Sequence, residues 1–170
     1  PYHSGANDNA SGASTLLAIA AELAKSPLNN TQVTFLFTGY EPLRADGLQA
    51  FLDSRKAESR PSLAIYLQAC GRGEISYVSR SRGPSHFSSH QLNTDVESLI
   101  ARLNVLASQE IRQAEIAFSD PSVALGRNGI CAMTIMGMQA DGFPGGWLSK
   151  SDTRAQIEEK ALQTASTVSY

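Results

Sequence analysis

Apolar residues recur at helical spacing near the start of the chain and then give way to short β-branched and aromatic runs. Between Ala13 and Ala24 they return every three or four residues, which predicts an amphipathic helix that ends near Lys25. A second helical pattern spans residues 45–56. Short apolar runs follow both helices and predict buried strands at residues 32–38 and 63–67.

The second half of the chain continues this alternation after a polar stretch. Residues 71–90 are rich in Gly, Ser and Arg, which predicts loops around a weak strand at residues 75–78. Further on, the pattern predicts a helix after Asp95, a strand at residues 130–136 and a last helix that begins at Asp152. This order of elements predicts an α/β fold, a three-layer α-β-α arrangement around an open, mostly parallel sheet.

Composition narrows the classes of protein. The chain has 170 residues, of which 42% are hydrophobic and 18% charged, and its net charge is -2. We interpret residues 1–170 as a single domain, because a chain of this length buries enough surface to fold without disulfides or a structural metal. The charge balance argues against nucleic acid as a partner. No apolar run reaches the roughly 20 residues that span a bilayer, so the sequence predicts a soluble protein.

Neither the cysteines nor the first residues of the chain indicate the cellular compartment. Cys70 and Cys131 lie in apolar, strand-like runs, where two buried free thiols are favoured over a disulfide. The chain starts at Pro1 without an initiator Met or the pattern of a signal peptide. We therefore interpret it as processed, or excised from a longer protein.

The segment from Gly5 to Gly12 is the strongest candidate for a binding loop. It directly precedes the first predicted helix, where an α/β fold places its ligand crevice. The composition of this loop leaves two interpretations of Asp8 open. Its carboxylate either caps the helix, or its two oxygens bridge two cations. The Gly-Lys-Ser/Thr ending of a phosphate-binding loop is absent.

Other candidate sites are weaker. His86 and His90 are four residues apart, as in a helical metal site, but no third donor is adjacent, which favours a solvated loop. No Gly-x-Ser-x-Gly elbow supports Ser-His-Asp catalysis. Trp147 lies among glycines and is interpreted either as the wall of a cleft or as a packing anchor.

Four motifs together indicate a family. In chain order they are Gly5-Ala6-Asn7-Asp8-Asn9-Ala10-Ser11-Gly12, Phe37-Thr38-Gly39-Tyr40-Glu41-Pro42, Ser119-Asp120 ahead of Gly129-Ile130, and Trp147-Leu148-Ser149-Lys150-Ser151-Asp152-Thr153. The chain resembles the co-catalytic zinc aminopeptidases, metallopeptidase family twenty-eight, which includes aminopeptidase Y and bacterial leucyl aminopeptidase. The resemblance implies a zinc-exopeptidase fold, shortened here at its N-terminus. The family also has a strained, often cis, peptide after the Asp of the first motif, here Asp8-Asn9. Either this chain retains that cis bond, or a trans bond there would show that loss of the metal has let the site relax.

The resemblance also implies a set of site residues, of which this chain keeps only part. It makes Asp8 the ligand that bridges two zinc ions and Glu41 the general base. Pro42 stands where the next ligand is expected, Gln68 where an Asp is expected, and Leu148 where a His is expected. The remaining His ligand belongs to a segment before this chain, and His3 is too close to Asp8 to replace it.

The substitutions lead to two functional hypotheses. Pro42 and Leu148 offer no side-chain donor, and Gln68 offers only a neutral amide oxygen, so we expect no cofactor and no hydrolysis. The first hypothesis is therefore a degenerate, non-catalytic domain that serves as a binding or scaffolding module. The alternative is an active metallo-aminopeptidase or related hydrolase with an atypical zinc site built around Asp8 and Glu41, with donors such as His3, His86 or His90.

The sequence and the family resemblance also predict the kind of partner and the location of the protein. We expect a peptide or protein partner, and an unpaired sheet edge before Asp8 would favour a homo-oligomer. A third hypothesis is that another segment or chain supplies the missing part, which would restore one His but none of the three substituted ligands. The family resemblance favours a secreted or periplasmic protein.

Overall fold

The computed structural model describes residues 4–39, 46–55, 63–82, 89–91, 98, 100–101, 111–118, 120 and 122–169. The described residues form four α-helices that we label α1 (Gly12–Lys25), α2 (Asp46–Ser54), α3 (Ser122–Arg127) and α4 (Glu159–Ser169). The segment Ala6–Ser11 leads into α1 and is helical except at Asp8 and Asn9, whose φ and ψ angles are not helical. A short 3-10 turn, Arg154–Gln156, precedes α4. Residues 98, 100 and 101 are also helical, within the stretch where a helix is predicted.

The strands form one open sheet. They are β1 (Leu63–Gln68), β2 (Glu74–Arg82), β3 (Ser89–Gln91), β4 (Arg112–Ile116) and β5 (Cys131–Met138). The path through the sheet is β1-β5-β2-β3, and β4 also pairs with β2. The β1–β5 and β2–β4 pairs are parallel and contain most of the paired residues, whereas β2 runs antiparallel to β5 and β3.

Helices cover both faces of the sheet. Neighbouring side chains of β5 alternate between the faces, so Met133 packs with Ile19 of α1 and Ala165 of α4, whereas Ala132 packs with Leu48 of α2 and Leu125 of α3. Residues 132–138 of β5 are buried throughout. The predicted α/β class and its open, mostly parallel sheet are confirmed.

One predicted strand is wrong. Residues 32–38 have the composition of a strand, yet within the described part of the chain they form no ladder. Phe35 packs against the cluster that contains α1, and Leu36 packs against the cluster that contains α2. Val33 and Phe37 are 44% and 53% exposed. The side chains thus alternate as in a strand, but none of the described strands bonds to this backbone.

Two other predictions need correction. The last helix begins at Glu159, because Asp152 accepts hydrogen bonds from a distant loop instead of capping a helix. The residues between 71 and 90 include the nine-residue β2 and the short β3, which the abundance of Gly, Ser and Arg obscured. β4 is also missed by the sequence pattern.

No described helix is long and apolar enough to cross a membrane.

The predicted free thiols are confirmed, although only Cys70 is fully buried and Cys131 is half-buried. The Cys70 Sγ lies 3.5 Å from the carbonyl oxygen of Ile135 and 3.6 Å from that of Gln68. Burial raises the pKa of the Cys70 thiol from its ordinary 9.0 to about 12, and the hydrogen bond to the Gln68 backbone opposes this rise. The thiol therefore stays protonated at neutral pH.

This raised pKa predicts an alkaline loss of stability. Below pH 9.0 the thiol is protonated in both the folded and the unfolded state, whereas between 9.0 and about 12 only the unfolded thiol ionises. The free energy of unfolding should then fall by up to about 1.4 kcal/mol per pH unit from this group. Urea unfolding at about pH 8 and about pH 10.5 should show wild type losing about 2 kcal/mol more than Cys70→Ala. Cys131→Ala should behave like wild type, and an equal loss in Cys70→Ala would contradict the assignment.

Candidate functional site

The Gly5–Gly12 loop lies at the carboxyl end of β1 and is held there by the amide of Asn7. Asn7 is 2% exposed. Its Oδ1 accepts a hydrogen bond from the Gly71 N–H at 2.8 Å, and its Nδ2 donates to the carbonyl of Gly145 at 2.9 Å. One buried side chain therefore joins the loop to the segments that follow β1 and β5. The peptide between Asp8 and Asn9 is cis, as the resemblance implies.

Asp152 fixes the same loop from the other side. Its carboxylate accepts hydrogen bonds from the N–H groups of Asn7 at 2.5 Å and Asp8 at 3.1 Å. The hydroxyl of Ser4 donates to the Asp152 carbonyl. Asp152 is 3% exposed. Hydrogen bonds to a buried carboxylate are charge-assisted and stronger than those between neutral groups, so the two N–H donors stabilise it in this position.

Asn9 ties the loop directly to β1. Its Nδ2 donates to the carbonyl of Leu67 at 2.9 Å, and its Oδ1 accepts from the N–H of Ala69 at 3.0 Å. This approach needs Gly12, because a Cβ there would lie 2.5 Å from the Leu67 carbonyl and also collide with the Asn9 amide.

Asp8 projects from this rigid loop and meets Gln68. The Gln68 Nε2 donates to the Asp8 Oδ1 at 3.3 Å. Gln68 is 7% exposed, and its Oε1 is buried without a hydrogen-bond partner in the described part of the chain. The reversed amide would aim this oxygen at the carboxylate, which is unfavourable unless a cation lies between them.

The other predicted site residues are not brought to Asp8 by the described structure. Leu148 is 55% exposed in a turn with a φ of 51°, and it supplies no ligand. His90 pairs with Ser81 on edge strand β3, whereas the β5 partner of Gln68 pairs with Ser76 on the same β2 strand. These spacings place His90 roughly 20 Å from Gln68. Glu41, Pro42, His3 and His86 lie outside the described residues.

An aromatic cluster borders the loop. Trp147 contacts Phe118 and Phe143, with ring centroids 4.4 and 5.8 Å apart, respectively. Phe143 is 41% exposed. Trp147 follows Gly145, whose carbonyl accepts the Asn7 bond, so the cluster is adjacent to the loop. These contacts favour the packing interpretation of Trp147.

A separate open cavity of 420 Å³ lies on the side of the loop next to α4. Its lining residues are Ser4, Ala6, Ala10, Ser11, Ser14, Arg154, Ile157 and Leu162. Neither Asp8 nor Gln68 faces it, so this cavity is distinct from the predicted metal site.

A family model for peptidase family M28 matches residues 1–170, the whole chain. The chain belongs to peptidase family M28. No curated protein matches this M28 chain by sequence. Among solved structures, it is similar to a zinc aminopeptidase from Bacillus subtilis, with 21% identity and a TM-score of 0.79 over 99% of this chain and 41% of that one.

Two further structures have the same fold. An aminopeptidase from Aneurinibacillus sp. strain AM-1 is 21% identical, with a TM-score of 0.76 over 98% of this chain and 38% of that one. A glutaminyl cyclase from Bacteroides thetaiotaomicron is 17% identical, with a TM-score of 0.71 over 97% of this chain and 61% of that one. The M28 chain therefore spans about two fifths of either aminopeptidase and about three fifths of the cyclase.

The described residues of this M28 chain do not fit the zinc pair that the resemblance implies. A catalytic zinc takes about three imidazole, thiolate or carboxylate donors from the protein. In the described ranges, no three His, Cys, Asp or Glu side chains are grouped so that they could hold a metal ion. Asp8 has the Gln68 amide as a neighbour, and Leu148 has no donor atom.

Sequence reasoning missed the residues that hold the site together. Asn7, Asn9 and Asp152 all make hydrogen bonds across more than 50 positions of sequence. The Asn residues gave a weak signal, because two amides beside one Asp in a glycine-bounded loop are typical of side-chain-to-backbone bonding. Asp152 carried the opposite signal, that of a helix cap.

The close approach at Gly12 predicts a large effect of one methyl group. Gly12→Ala should displace Asn9 and lower the free energy of unfolding by about 2–3 kcal/mol. Gly39→Ala is the matched control, since a Cβ at Gly39 would have no atom within 4 Å. Urea unfolding of both variants measures the difference, and equal stability would refute the role of the Asn9 bridge.

The hydrogen bonds of Asp152 predict that replacing its carboxylate by an amide lowers the stability of the protein. Asp152→Asn retains the shape but turns one acceptor into a donor that faces a backbone N–H, so stability should fall by about 2–3 kcal/mol. Asp141→Asn is the control, because the exposed Asp141 also accepts one backbone N–H, from Phe143. The midpoint temperature of thermal unfolding should fall clearly for Asp152→Asn only. A similar fall for both variants would contradict this account.

Proposed function

We propose that this chain is a non-catalytic M28 domain that has lost its metal centre and acts as a binding or scaffolding module. The observation that carries the proposal is the hydrogen bond from Gln68 Nε2 to Asp8 Oδ1, at 3.3 Å. A neutral amide donor thus meets the carboxylate at the position where the resemblance implies an Asp ligand. This bond supports the proposal, because an amide donor stabilises the Asp8 carboxylate where a cation would otherwise do so.

The replacement of an Asp ligand by Gln68 has a chemical consequence for Glu41, the residue that matches the general base. Hydrolysis of this type needs a metal-bound water whose pKa is lowered toward 7. Without that metal, Glu41 has no activated water to deprotonate. Loss of the ligands at residues 42 and 148 acts in the same direction, since neither Pro nor Leu offers a donor.

One observation favours a second candidate, a hydrolase with an atypical metal site. The Oε1 of Gln68 is buried and has no hydrogen-bond partner among the described residues. If the amide were reversed, this oxygen and the Asp8 carboxylate would both be oxygen donors, and Glu41 would be a further candidate donor. Such a set suits a hard cation better than zinc.

The wider role includes three further proposals. We propose that residues 1–170 form a single domain whose partner is a peptide or protein rather than nucleic acid. The family resemblance supports a secreted or periplasmic location. Homo-oligomers are the third proposal, and a strict monomer in size-exclusion chromatography across concentrations would contradict them.

Metal content tests the main proposal. Protein purified without added metal or chelator should contain less than about a tenth of an equivalent of zinc by mass spectrometry. Titration with zinc should show no uptake that depends on Asp8, with Asp8→Ala as the control, and aminoacyl substrates should not be cleaved. One or two tightly bound zinc ions that are lost in Asp8→Ala, with chelator-sensitive cleavage, would overturn the proposal and support an enzyme.

A pair of variants tests the amide itself. Gln68→Asp places a carboxylate near Asp8 and should lower stability at neutral pH by about 1–3 kcal/mol more than the uncharged Gln68→Met. The difference should shrink near pH 4, where carboxylates take up protons. Repeating the unfolding with zinc and with calcium distinguishes the candidates, because a metal site would stabilise Gln68→Asp strongly and remove the difference.

A further inference from the structure

Two Asn-x-Ser/Thr triplets occur in the chain, and the structure presents their amides differently. They are Asn9-Ala10-Ser11, in the loop of the candidate site, and Asn29-Asn30-Thr31, which follows α1. Such a triplet is the acceptor sequence for an N-linked oligosaccharide, provided that the middle residue is not Pro. Both triplets meet this condition, so the surroundings of each amide decide which of them can carry a sugar.

The Asn9 amide is already used by the fold. Its Nδ2 donates to the carbonyl of Leu67 at 2.9 Å, and its Oδ1 accepts from the N–H of Ala69 at 3.0 Å. Since both partners follow one another along β1, the donated hydrogen is the one on the same side of the amide as the oxygen. In a trans secondary amide the substituent on nitrogen takes that side. A sugar on Asn9 would therefore replace the hydrogen bond to Leu67 and collide with β1.

Asn29 has none of these constraints. α1 ends at Lys25, and residues 26–34 are exposed throughout. Asn29 and Asn30 form a turn, in which Asn30 has a φ of 58°. The Thr31 hydroxyl donates to the Asn29 carbonyl at 3.3 Å, whereas no described residue bonds to the Asn29 amide. The Nδ2 of Asn29 is therefore open to solvent, on the same turn as the hydroxyl that completes the triplet.

The surface around Asn29 is apolar and uncharged. Leu28 and Val33 are 48% and 44% exposed. Residues 26–40 contain no charged side chain, and Lys25 before them is paired with Glu22 at 2.6 Å. An oligosaccharide is bulky and solubilising, so on Asn29 it would cover apolar side chains that no neighbouring charge keeps hydrated.

We propose that Asn29 is an acceptor site for an N-linked oligosaccharide, added during export of the protein, and that Asn9 is not. In the transfer, the Asn29 Nδ2 forms a bond to the anomeric carbon of the first sugar, and the bond from that carbon to the pyrophosphate of a lipid-linked oligosaccharide breaks. The nitrogen gives up one of its two protons, and the lipid pyrophosphate leaves. The proposal requires only the export proposed above, and it is independent of whether the candidate site holds a metal.

Secretion of the chain from a eukaryotic host, behind an added signal peptide, tests both parts of the proposal. Treatment with a peptide N-glycosidase should shift the secreted protein to a smaller apparent mass. The same treatment in oxygen-labelled water should convert Asn29, but not Asn9, to labelled Asp, as measured by peptide mass spectrometry. Absence of the mass shift, or label at Asn9 in the secreted, folded protein, would overturn the proposal.

Two threonine variants give matched controls. Thr31→Ala removes the hydroxyl of the acceptor triplet but keeps Asn29, so the mass shift should disappear. Thr34→Ala changes an exposed threonine outside the triplet and should keep the shift. Circular dichroism of both variants should match that of wild type, which excludes misfolding as the cause. A mass shift that survives in Thr31→Ala would contradict the assignment to Asn29. Zinc content reports separately on the proposed function, so the two failures are distinguishable.

Discussion

The candidate site depends on the buried carboxylate of Asp152 and its two backbone donors in the Gly5–Gly12 loop. A buried charge is costly unless hydrogen bonds compensate it, and here the compensation comes from a segment more than 140 positions away. The same contact therefore joins two segments that are far apart in the sequence and holds the backbone at Asp8 in place. Asn7 and Asn9 complete the arrangement by bonding to Gly71, Gly145 and β1. The loop is thus held by side-chain amides and one carboxylate that bond to backbone groups.

Much of the fold could be predicted because its signals are local. The apolar face of α1 and the continuous burial of β5 both appear directly in the residue pattern. β4 has the sequence Arg-Gln-Ala-Glu-Ile and shows no clear alternation, because its strand character comes from pairing with β2. Residues 32–38 show the converse. Their composition is that of a strand, but a ladder also requires a neighbour, and composition carries no information about one.

The site was predicted only where a motif fixed the identity of the residue. Asp8 lies where the loop motif indicates, and the substitution at Gln68 was visible in the sequence. The direction of the Gln68 amide was not, since it depends on contacts between residues 60 positions apart. The function of Asp152 was misassigned for a similar reason: a carboxylate before a turn has the same local pattern whether it caps a helix or receives a distant loop.

Trp147 is the only tryptophan among the 170 residues, and it is packed against two phenylalanine rings beside the loop. Its indole emission therefore originates from one known place in the molecule. The backbone two residues earlier is bonded to Asn7, so any rearrangement of the loop would be transmitted to the ring stack over a short path. The chain consequently contains its own optical probe of the site, which needs no label and has no second tryptophan to complicate its signal.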